Sequence, residues 1–150
     1  MAYEDNCNKI EIVHKELEFI QGCIERMARN SFMIKGWAIV ITIAFLGFMG
    51  SKKDIDIIMS IFIILPVIIL WSLDGYFLYI ERCYRKLYKE RVNIRVYLRV
   101  STYRDYYDLN HTVIKSEKIF NAVFSKTLMP FYVIIIAILI IIIIYIGVTK

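Results

Sequence analysis

The chain predicts an all-α membrane protein, and three observations point there. Hydrophobic residues make up 59% of its 150 residues, whereas a soluble domain of this size holds about 45–50%. The surplus is gathered into three blocks, 32–50, 57–80 and 128–148, each near the roughly 20 apolar residues that cross a bilayer. Basic residues concentrate between the second block and the third, as they do on the cytoplasmic side of membrane proteins. The expected organisation is a cytosolic amphipathic helix (1–31), a transmembrane hairpin (32–80), a basic cytosolic region (81–127) and a third transmembrane helix (128–148).

In the N-terminal segment Ile10, Val13, Leu17, Ile20, Ile24 and Met27 recur at alternating spacings of three and four. This is the a/d seam of a packed helix. Its partner is either the chain's own second cytosolic helix or the same helix of a second protomer. Only Ala28, Arg29, Asn30 and Ser31 separate the seam from the first span, and none of them breaks a helix. The segment lacks the basic start and short apolar core of a cleaved signal peptide, so it is expected to be retained.

Lys35 lies one turn into the first span, where its stem can carry the ammonium to the headgroups. Gly36, Ala44 and Gly47 form a small-residue stripe suited to close helix packing. The second span carries Asp74 near its end. A carboxylate within a span is costly and marks a functional candidate. Counted from the external loop, Asp74 falls about one turn beyond Lys35, within reach of a lysine stem. Two readings stay open, a structural ion pair holding the hairpin or a polar element facing an interface or pore, with Ser72 beside it. Beyond the membrane Tyr76, Ile80, Tyr84, Leu87 and Tyr88 hold one helical face.

From Val92 the pattern alternates, with Val92, Ile94, Val96, Leu98 and Val100 apolar. That admits one short β-strand over about 92–100, paired with Tyr103–Asp108 or with a neighbouring subunit. A further helix is expected from Asn110, leading into the third span. That span has Pro130 in its first turn and only Tyr132 and Tyr145 as polar side chains. Both a lipid-facing outer helix and a hydrophobic gate fit it.

Arg82, Arg85, Lys86, Lys89, Arg91 and further basic residues up to Lys126 put the middle region, and the N-terminus with it, in the cytoplasm. The C-terminus is then outside. Trp37, Trp71, Tyr76 and Tyr79 would form an aromatic belt on the inner face.

Candidate chemistry is sparse. Cys7, Cys23 and Cys83 have no metal-ligand spacing and read as reduced thiols, and His14 and His111 stand alone. No nucleophile elbow, phosphate-binding glycine loop or zinc motif is present. The expectation is a non-enzyme without catalytic residues, metal or cofactor. Arg95, Arg99 and Arg104 interleave with Tyr97, Tyr103, Tyr106 and Tyr107. Guanidinium groups hold phosphates and tyrosines stack on bases, which suits a nucleotide-like ligand. Contact with acidic lipid headgroups explains the same charges. Topology already accounts for the basic excess, so nucleic acid is not an expected partner.

Three stretches carry a resemblance: Glu18 to Trp37, containing Gln21-Gly22 and Arg26-Met27-Ala28; Trp71-Ser72-Leu73-Asp74-Gly75-Tyr76-Phe77-Leu78 with Glu81-Arg82; and Phe124-Ser125-Lys126-Thr127-Leu128. Together they resemble a widespread family of small bacterial membrane proteins. Ile80 departs from that family's pattern, which has a polar residue there. The resemblance implies a shared role for Lys35 and Asp74. It also implies a homo-oligomeric effector of the inner membrane in anti-phage defence, driven by a nucleotide second messenger or a TIR-domain sensor partner and acting by pore formation or membrane disruption. A non-conducting membrane scaffold for a cytosolic partner is the alternative. A lipid-kinase-like enzyme would need several interfacial carboxylates, and Asp74 stands nearly alone.

Overall fold

The computed structural model describes residues 2–50, 62, 64–98 and 118–148, and no strand occurs among them. Among the described residues there are four helices: α1 (Ala2–Gly50), α2 (Ile64–Leu98), the short α3 (Ile119–Val123) and α4 (Met129–Val148). At 1.5 Å per residue, α1 is roughly 70 Å long and α2 roughly 50 Å. Both exceed the roughly 30 Å of a bilayer's hydrocarbon. Two segments, Glu11–Gly50 and Ile64–Asn93, are long and apolar enough to cross a membrane. α4 has 20 residues and no charge.

α1 and α2 run antiparallel, with Glu16 opposite Arg91 at one end and Lys35 opposite Asp74 further along. α2 is the central element, touching α1, α3 and α4. The apolar half is organised by Ala38, Val67, Leu128, Tyr132 and Leu139, with Phe45, Leu46, Ile64 and Trp71 packed around them. Along the half towards Glu16 and Arg91, Ile20 from α1 and Ile80, Cys83 and Leu87 from α2 are buried.

Part of the N-terminal seam is buried against the chain's own second long helix. Ile20 is fully buried, and Val13, Leu17, Ile24 and Met27 are half-buried; Ile10 lies on the same helix, in its first turns. As the lack of a helix breaker over residues 28–31 implies, the helix continues unbroken through the first apolar block.

Within the protomer the small residues Gly36, Ala44 and Gly47 face outward, and a Cβ on Gly36 or Gly47 would meet nothing within 4 Å. The face of α1 that packs inward is Ser31, Ile34, Ala38, Thr42 and Met49, so Ala38 supplies the close approach within the chain. One expectation is corrected: the strand over 92–100 is replaced, since Val92 to Leu98 are the last turns of α2. Adding residues to an existing helix satisfies one backbone hydrogen bond for each, while an isolated strand leaves its edges unsatisfied. Residues 99–100, the Tyr103–Asp108 partner segment and the expected helix start at Asn110 lie outside the described residues. So do residues 57–61, the start of the second apolar block.

Candidate functional site at Asp74

The helices converge on one carboxylate. Asp74, on α2, is 0% exposed. Lys35 Nζ lies 2.7 Å from its Oδ2, and the Tyr132 hydroxyl of α4 donates to the same oxygen at 3.1 Å. The Ser31 hydroxyl donates to Oδ1. Lys35 also donates to Ser31 Oγ at 2.8 Å and to the Ser31 carbonyl at 3.4 Å. Ser31 and Lys35 are four residues apart on α1, which puts both on one helical face.

This arrangement meets the physical requirement for a buried charge. A desolvated carboxylate is tolerated when it has a counter-ion and its lone pairs are engaged. Asp74 has the Lys35 ammonium and two hydroxyl donors, drawn from two other helices. The Lys35 side chain is 27% exposed, so its stem reaches inward from the rim of the site.

A second set of contacts aims Tyr132. Trp71, one turn before Asp74, stacks on the Tyr132 ring at 5.9 Å and an interplanar angle of 13°. Its edge meets Phe124 at 5.4 Å. The Trp71 indole N–H donates to the Val123 carbonyl at 3.0 Å, tying α3 to α2. Gly75 makes this docking possible, because a Cβ there would lie 2.9 Å from Val123 Cα. The following turn then launches α4. The Ser125 carbonyl accepts from the Leu128 and Met129 amides at 3.2 and 3.0 Å, and Ser125 Oγ accepts from Leu128 N at 3.4 Å. This is the role of a serine at a helix start.

Away from this site, towards the other end of the α1–α2 pair, Glu16 is buried, with Arg91 Nε 3.7 Å from its Oε1. Glu81 pairs with Arg85 at 2.8 Å. Burial raises the Tyr84 hydroxyl above the ordinary tyrosine range, Cys23 adds to the shift and Arg26 opposes it. A groove of about 440 Å³ runs between the helices, lined by Gln21, Ile24, Glu25, Arg85, Tyr88 and Lys89.

Of the residues singled out from sequence, Lys35 and Asp74 are brought together. Ser72 is not part of the site, since its hydroxyl donates to the Ile68 carbonyl on an exposed face. Trp71 is turned into the protein, not outward into a belt with the exposed Trp37 and Tyr76. Arg95 and Tyr97 fall in the last turns of α2; Arg99, Tyr103, Arg104, Tyr106 and Tyr107 lie outside the described residues. Ser31, Gly75, Val123 and the Tyr132 hydroxyl were not assigned to the site from sequence. The spacing of Ser31 from Lys35 and the rarity of polar side chains such as Tyr132 in the third apolar block were the signals for them. Among the described residues no group of histidine, cysteine or carboxylate side chains could hold a metal ion.

No protein-family model, curated protein or solved structure matches the chain.

Proposed function

We propose that the protein is a non-enzymatic, homo-oligomeric effector of the bacterial inner membrane, acting in anti-phage defence by opening a pore or disrupting the bilayer. In this reading α1, α2 and α4 are three spans, with the N-terminus in the cytoplasm and the C-terminus outside. The α1–α2 hairpin projects into the cytoplasm, where a nucleotide signal or a TIR-domain sensor partner acts on it.

The observation that carries the reading is continuity. α1 and α2 each run unbroken from the projecting hairpin into an apolar segment, and Asp74 ties both to α4 at that transition. A change in the crossing of the hairpin therefore reaches the apolar half through rigid helices. A ligand shifts such an equilibrium only by its differential affinity for the two states, so the resting form needs to be favoured by just a few kcal/mol.

The test is co-expression with the genomic neighbours, phage challenge and a membrane-potential dye. Depolarisation before lysis is expected; unchanged potential and viability would refute the reading. The groove between the hairpin helices favours a second reading, a scaffold that recruits a cytosolic partner. Stable partner stoichiometry in a pull-down, with silent liposome-leakage assays, would select it.

A further inference from the structure

We propose that α3 and the two lysines flanking it form a docking surface for anionic phospholipid headgroups of the cytoplasmic leaflet. The inference rests on the membrane reading above and assigns it a specific lipid contact.

α3 has two unlike sides. Ala122 is fully buried, and Val123 sits on Gly75 with its carbonyl held by Trp71. Ile119 and Phe124 are nearly half exposed, Phe124 with part of its ring against Trp71, and Phe120 is 70% exposed. The Phe120 and Phe124 rings lie 4.6 Å apart and make one outward apolar step. Lys118 precedes α3 and Lys126 follows it, both exposed. Neither enters an ion pair among the described residues.

The level of this step identifies its occupant. α3 is fastened at Trp71 and Gly75, beside the Asp74 cluster, and the uncharged run of α4 begins at Met129, just past Lys126. The step thus lies where the apolar slab gives way to polar groups. Phenyl rings beside ammonium groups at that level match a phosphate with acyl chains beneath it. Free phosphate offers nothing to the rings, whereas a lipid engages rings and lysines together. Basic residues near an anionic membrane surface are drawn to it.

The experiment places the full chain in nanodiscs of phosphatidylcholine with and without phosphatidylglycerol and follows thermal unfolding. Phosphatidylglycerol is expected to raise Tm by a few degrees. A Lys118→Gln/Lys126→Gln variant should lose most of that shift, and Lys118→Arg/Lys126→Arg should keep it. Inorganic phosphate added to phosphatidylcholine discs should leave Tm unchanged. An equal phosphatidylglycerol shift in the glutamine variant overturns the proposal, and so does a matching shift from inorganic phosphate. A drop in assembly mass for Phe120→Ser with the lipid shift intact overturns it in favour of a second copy covering the step. Failure to enter discs of either composition would overturn the membrane reading itself, and this one with it.

Discussion

Gly75 and Val123 are in direct backbone-level contact: a methyl group on Gly75 would lie 2.9 Å from Val123 Cα. The neighbour is main chain, so it cannot rotate aside. Through this contact α3 lies close enough to α2 for Trp71 to reach the Val123 carbonyl.

Gly75→Ala is therefore expected to destabilise. Alanine gains about 1 kcal/mol of helix propensity, but overpacking costs about 1–3 kcal/mol. A fixed backbone neighbour puts the clash at the upper end, so a net loss of about 1–2 kcal/mol is expected. Thermal unfolding in detergent checks it, and a variant as stable as wild type would mean that α3 does not seat on Gly75.

The Asp74 substitutions should rank by what they leave behind. Asp74→Leu strands the Ser31 and Tyr132 hydroxyls and the Lys35 ammonium, and breaking a buried pair costs about 3–5 kcal/mol. Lys35 reaches the rim of the site, so the lower end applies. Asp74→Asn keeps an acceptor for Tyr132, and its loss should be about 1–2 kcal/mol. Denaturation midpoints of the two variants decide this; an Asn variant as damaged as the Leu variant would refute the ranking.

The outward glycines give a contrasting result. Gly36→Ala and Gly47→Ala meet no neighbour, so each should stabilise α1 within a protomer by about 0.5–1 kcal/mol. Where the stripe packs one protomer against another, the same changes should weaken assembly. Mass measurement in detergent alongside Tm separates the two effects.

Tyr84 supplies a pH dependence. Its folded pKa is raised, chiefly by burial, so the fold holds the phenolic proton more tightly than the unfolded chain does. The stability this gives is fully present below the ordinary tyrosine pKa of about 10. It is lost as pH rises through the folded value. Wild type should lose stability more steeply than Tyr84→Phe above about pH 10. Parallel curves for the two would contradict the assignment.

Much of the helical plan was legible in the chain because apolar runs and a/d spacing are local properties. The Lys35 and Asp74 pair could be read from helix rise and the reach of a lysine. The strand reading of 92–100 failed because alternation describes side chains only. The backbone of Val92 to Leu98 follows the helix already built before it. Trp71 was misplaced for a related reason. Period identifies a face of a helix but not which face meets a neighbour.

The sequence by itself determined that this is a helical chain with long apolar segments, and that a lysine and an aspartate in neighbouring segments fall within reach. Tertiary structure decided that Ser31 and Tyr132 complete the Asp74 site, that Gly75 admits Val123, and that Ala38 rather than Gly36 lies at the inward face. The physical reason is range. Hydropathy and period act within a segment, whereas burying a charge draws its donors from every helix that packs around it.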